Sequence, residues 1–203
     1  MEIWETVFLP GSDSINWMYT IGHSTRTIDE FLRLLKEHGV EILVDVRRWP
    51  TSRRCPHFGR ASLEASLREE GMRYAWLGGS LGGYREEGLG EVSPNKGWES
   101  DGFRNYADHA LSEEFRMGLE EVRRLAEGGR AAMMCAEKHY WRCHRRIISD
   151  HLVVLGVPVA HIVESGRTVR HRLTGFAVVR DGVPVYPPRS ASPKEVRPGG
   201  SPA

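Results

Sequence analysis

Cysteine is scarce in this sequence: three in 203 residues, at positions 55, 135 and 143. An odd, low number describes no disulfide framework, and a reducing, cytoplasmic compartment is the expectation. Net charge is also nearly absent. The 28 lysines and arginines face 27 aspartates and glutamates, so no global field draws the chain to nucleic acid or to a lipid surface. No apolar run approaches the roughly 20 residues that span a bilayer, and no membrane partner is expected. The opening segment, MEIWETVFLPGSDS, lacks the basic region and the long apolar region of a signal peptide. No segment repeats. Gly22 stands alone rather than in a G-x-G-x-x-G fingerprint, and no C-x2-C pair recurs as in structural zinc sites. Neither a cofactor nor a metal is therefore expected, although Cys135, Glu137, His139, Cys143 and His144 are ligand types within one stretch.

What the sequence does hold is unevenly placed charge. Arg47, Arg48, Arg53, Arg54 and Arg60 crowd one segment, and Arg142, Arg145 and Arg146 another. A local basic surface can exist on a neutral protein. The length suits one domain with one core. The expected organisation is an N-terminal arm over 1–16, an α/β domain over 17–186, and a flexible tail over 187–203 that is rich in Pro, Ser and Gly.

Within the domain, short apolar runs alternate with helical patterns. Strands are expected at 17–21, 42–46, 73–76, 131–135 and 158–163. Thr27-Ile28-Asp29-Glu30 is a capping box, and Ile28, Phe31, Leu32 and Leu35 share a helix face that Gly39 ends. Helices are also expected at 61–70, 102–111, 113–127 and from about 143 to 155, with a Gly-rich loop over 78–90. The segment RTVRHRLTG reads as a helix turn or a hairpin, and Asp181-Gly182 carries a hairpin signal. Strands that alternate with helices build an open, mostly parallel sheet with helices on both faces, and ligands bind beyond its strand carboxyl ends. Three loops leave that edge: Gly22-His23-Ser24, Asp45 to Arg60, and Cys135 to Arg146.

Four segments occur in order: YTIGHS, VDVRRWPTSRRCPHF, YAWLGGSLGGYRE and CAEKHYWRCHRRII. Together they resemble the family of domain of unknown function 488, over roughly residues 18 to 165. The resemblance implies an α/β fold and supports these loops as the site; it implies no particular reaction. Here His139, Tyr140 and Trp141 stand where a proline is expected in many relatives.

The chemistry of each candidate follows from residue type and place. Cys135 ends a strand and is either a nucleophile or a small residue finishing the core. Cys143 and His144 fall at a helix start, where the dipole favours an anion and lowers a thiol's pKa. Arg145 and Arg146 oppose that dipole, which makes sense if an anion sits between them and the helix amides. Glu137 is the acid/base candidate, with Asp45 or His23 beside it. Ser24, Arg47, Ser52 and Arg53 are candidate phosphate contacts, and the aromatics Trp49, His57 and Phe58 among those arginines suggest base stacking.

The expected function is an enzyme, a hydrolase or transferase, acting on a phosphate-bearing small molecule or nucleic acid. Two alternatives remain: a rhodanese-like or redox thiol enzyme using Cys135 or Cys143, and a non-catalytic nucleic-acid-binding module. The sequence does not specify the oligomeric state.

Overall fold

A computed structural model describes residues 17–188. The expected arm, 1–16, and most of the expected tail lie outside them. The first strand, β1 (Met18–Gly22), is buried along its whole length. After it, α1 (Ile28–Glu37) begins at the capping box: Thr27 accepts from the Glu30 N–H, and Glu30 reaches back to the Thr27 N–H. Each bond satisfies an amide that the helix end would leave unpaired. Gly39 takes the left-handed conformation just beyond the helix. The chain then forms β2 (Ile42–Asp45), α2 (Arg60–Glu69), β3 (Arg73–Trp76) and a single helical turn, α3 (Gly78–Leu81). Next come α4 (Asp101–His109), α5 (Glu113–Glu127), β4 (Ala131–Cys135), α6 (Arg145–Val154) and β5 (Val159–Glu164). The segment read as a helix turn or hairpin is the hairpin partner β6 (Arg167–Arg170), and a separate two-stranded hairpin, β7 (Val178–Arg180) and β8 (Val183–Val185), turns at Asp181-Gly182.

The main sheet has six strands in the order β3-β2-β4-β1-β5-β6, parallel except for β6. Alternate residues feed opposite cores. Tyr19, Ile21, Leu43, Ala132 and Met134 pack under α1 and α2, with Phe31, Leu35, Leu63 and Leu67. Met18, Val44, Met133 and Cys135 face the other way, onto Phe115, Leu119, Ile147 and Ile148 from α5 and α6. The connections that run toward β3 thus lie on one face and those that run back lie on the other, as uniform crossover handedness requires.

That arrangement decides where a site can form. The chain leaves β1 toward one face and β4 toward the other, and β1 and β4 are neighbours. Their carboxyl ends diverge into a crevice, the switch point where open α/β sheets bind ligands. Gly22 closes its floor. A Cβ there would lie 2.0 Å from the Glu137 carbonyl oxygen, so only glycine lets the two loops approach.

Candidate active site

The crevice is a cleft of about 280 Å³ lined by His23 from the β1 end, Arg47, Arg48, Trp49, Thr51 and Ser52 from the β2 loop, Gly83 and Tyr84, and Cys135, Ala136 and His144. All three loops singled out in the sequence therefore meet.

Arg47 is buried and folds back on Asp45: Nε is 2.9 Å from Oδ1 and Nη2 is 2.6 Å from Oδ2. Asp45 also accepts from the Tyr74 hydroxyl at 2.8 Å. Burial opposes the Arg47 charge, and the bonds to Asp45 outweigh it and raise its pKa. One guanidinium edge is thus spent on Asp45, which leaves Nη1 3.4 Å from His23 Nε2. The His23 tautomer follows from its partners. Nδ1 lies 2.9 Å from the Ser24 carbonyl, an acceptor only, so Nδ1 carries the proton and Nε2 accepts from Arg47. Burial first, then Arg47, lowers the His23 pKa to about 4. At neutral pH the ring is uncharged.

The second group in the cleft is a thiol pair. Cys135 Sγ and Cys143 Sγ lie 3.8 and 3.5 Å from His144 Nδ1. His144 Nε2 is 3.0 Å from the Val46 carbonyl and donates to it, so Nδ1 presents a lone pair to both sulfurs. The ring is held in that pose. Tyr106 meets it edge-on at 5.1 Å, and a Cβ on Gly83 would come within 2.4 Å of Nδ1. Burial raises the Cys143 pKa, but the bond from the Cys135 thiol and the Arg145 charge outweigh it and hold Cys143 well below the usual thiol range. The bond to Cys143 and burial push Cys135 well above that range.

Arg145 sits behind the thiols, not in the cleft lining. It is buried, and its Nε donates to Cys143 Sγ at 3.4 Å, Nη1 to the Thr20 hydroxyl at 3.2 Å, and Nη2 to the Glu137 carbonyl. Thr20 continues a buried chain. Its hydroxyl is 2.7 Å from His161 Nδ1, His161 Nε2 is 2.9 Å from His171 Nδ1, and His171 Nε2 is 2.9 Å from Asp150 Oδ1. Asp150 can only accept, so every donor in this chain points toward it. Tyr186 and Thr174 complete its partners, and the Tyr140 ring stacks on His161.

The other sequence candidates lie elsewhere. Glu137 is exposed, and its carboxylate accepts from the His139 N–H in its own loop. Arg146 donates to Thr174 at 2.9 Å and lies over the Trp98 ring, away from the cleft. Arg53 is exposed and does not line the cleft. Ser24 does not line the cleft either; its carbonyl takes bonds from His23 and Cys55. The helix expected from about 143 begins at Arg145 instead; a 3₁₀ turn over Tyr140–Arg142 leads into it, which frees the Cys143 and His144 side chains to turn toward β4. Nothing in the sequence signalled Tyr74 or the His161–His171–Asp150 chain, because their partners meet only through strand pairing and the packing of α6.

Fold and cleft together define an open, mostly parallel α/β domain with a polar cleft at its topological switch point. The chain belongs to the family described as domain of unknown function DUF488, whose family model matches residues 27–152. No curated protein and no solved structure matches the chain. Among the described residues no helix is long and apolar enough to cross a membrane.

Proposed function

We propose that the protein is an enzyme, a hydrolase or transferase, that acts on a phosphate-bearing substrate such as a nucleotide or a nucleic-acid strand. The observation that carries this reading is the convergence of His23, Arg47, Cys135 and His144, from three strand ends and the start of α6, in one cleft. Arg47 and Arg48 supply positive charge there, and Thr51 and Ser52 supply hydroxyls. At the mouth Trp49 and Tyr84 are 59% and 53% exposed with ring centroids 5.4 Å apart, and Arg48 lies against Trp49. Exposed aromatic faces beside guanidiniums suit a base above a phosphate.

The test is a titration with nucleotides, pyrophosphate and short single strands, read by tryptophan fluorescence, followed by a turnover assay on whatever binds. Saturable binding that Arg47→Ala weakens supports the reading; no binding by any of these probes rejects it. Salt-dependent binding of strands without turnover would favour the binding-module alternative.

A thiol enzyme is the second reading, favoured by the lowered Cys143 pKa beside His144. Loss of turnover in both Cys135→Ser and Cys143→Ser supports it, and full activity in both excludes it.

A further inference from the structure

Cys135, Cys143 and His144 offer three ligand atoms that lie within 4.8 Å of one another. Closeness alone is common, so the test is whether the spacing suits an ion. In a tetrahedral zinc site with Zn–S about 2.3 Å and Zn–N about 2.0–2.1 Å, a sulfur and a nitrogen ligand stand about 3.5–3.6 Å apart. The observed sulfur–nitrogen separations are 3.5 and 3.8 Å. Both sulfur–nitrogen separations thus match a shared ion, and the two sulfurs, within 4.8 Å of each other, need only settle at the about 3.8 Å of a tetrahedral pair.

Three further features prepare the ligands. His144 Nδ1 presents its lone pair because Nε2–H is committed to the Val46 carbonyl, the outer bond that metal-binding histidines need. Gly83 and Tyr106 fix the ring plane. Arg145 donates from Nε to Cys143 Sγ, and the Thr20–His161–His171–Asp150 chain holds its guanidinium from behind. Two thiolates and a divalent ion cancel in charge, so the ion would leave this buried pair with no net charge to desolvate.

From this geometry we propose that Cys135, Cys143 and His144 form a zinc site with a fourth position toward the cleft. Cys135 and His144 line the cleft beside His23 and Arg47, so that position faces the same space as the Arg47 Nη1 edge. Three protein ligands with one open position are the pattern of catalytic rather than structural zinc, and the fourth ligand would be water or a substrate oxygen. Cys55, the remaining cysteine, bonds to the Ser24 carbonyl and takes no part. The proposal deepens the active-site reading and rests on it for the role of the open position, but not for the ion itself.

The experiment starts with the full chain, stripped of metal under reducing conditions and titrated with cobalt as a spectroscopic stand-in for zinc. One equivalent should bind with a thiolate-to-cobalt charge-transfer band and visible bands of tetrahedral intensity, and one equivalent of zinc should displace it. Cys143→Ser and His144→Ala should lower affinity by at least about 100-fold, more than the loss of an outer-sphere partner. Cys55→Ser should bind as the wild type does. Far-ultraviolet circular dichroism shows whether each variant is folded, and the wild-type titration decides the matter even where a variant is not. Folded wild-type protein that shows no charge-transfer band and retains no zinc overturns the proposal. So does metal binding that survives in folded Cys143→Ser and His144→Ala. Nucleotide titration of the zinc-free and zinc-loaded protein separates the two readings. Binding of nucleotide by protein that takes no zinc sinks only the metal site, and zinc uptake without any anion binding sinks only the phosphate-bearing substrate.

Discussion

Arg47 follows Asp45 by two residues, yet its guanidinium returns to the same carboxylate, with Nη2 2.6 Å from Oδ2. The turn at the end of β2 thus places a fully buried ion pair at the floor of the cleft while one guanidinium nitrogen still faces His23. Pairing keeps the buried arginine charged, and the carboxylate fixes its direction.

Asp45→Asn should therefore be costly. It leaves the guanidinium buried without a counter-charge and weakens the bond from Tyr74. Removing one partner of a buried pair costs about 3–5 kcal/mol. Urea unfolding checks this; a change below about 1 kcal/mol would mean that the pair is solvated in solution.

Thr20→Val removes a hydroxyl that accepts from Arg145 and meets His161 Nδ1, in a side chain of nearly the same shape. Two buried polar atoms then lose a partner, and each costs about 1–3 kcal/mol. The unfolding midpoint should fall accordingly, with the slope unchanged. An unshifted midpoint would mean that water replaces the hydroxyl.

Stability should fall on mild acidification. Burial, aided at His23 by Arg47, lowers His23 and His151 to about 4, and burial carries His161 well below its ordinary value. In the unfolded chain these rings titrate near about 6.5. Between those values the unfolded state binds protons that the native state refuses, so stability rises with pH across that window. It is fully present above about 6.5 and lost as pH falls toward about 4. Denaturant midpoints across this range provide the check. A midpoint that holds steady or rises on acidification would contradict the neutral, buried histidines.

Trp49→Ala should leave folding untouched, because the ring is mostly exposed, yet weaken nucleotide or single-strand binding. Loss of one stacking face costs about 1–3 kcal/mol, roughly 5- to 150-fold in affinity. Isothermal titration calorimetry measures it, and an unchanged dissociation constant would assign the Trp49–Tyr84 pair a packing role only.

Gly83→Ala probes the ring position. The backbone at residue 83 accepts any side chain, but the added methyl would strike the His144 ring, which Val46 and Tyr106 hold in place. Overpacking of this kind costs about 1–3 kcal/mol. Thermal melts should show it, with His144 ring shifts in nuclear magnetic resonance. A melt like the wild type's and unmoved His144 signals would mean that the loop, not the ring, gives way.

Local patterns are what the sequence determined. The capping box at Thr27, the glycine stop at Gly39 and the short β-branched runs name their elements because each depends on residues within one turn or one strand. Alternation of strands and helices then fixed a parallel sheet, and the polar loops at its carboxyl edge marked the region of the cleft. The roles within that region were decided by tertiary structure. Arg145 and Arg146 are adjacent in sequence, yet the pitch of α6 sends one inward to Thr20 and Cys143 and the other outward to Thr174. Glu137 and Cys135 are two residues apart, yet one side chain faces solvent and the other the core of the cleft. Tyr74, Thr20, His161, His171 and Asp150 find their partners only once the strands lie side by side and α6 packs against them. Side-chain direction depends on the rotation of an element about its own axis, and packing sets that rotation.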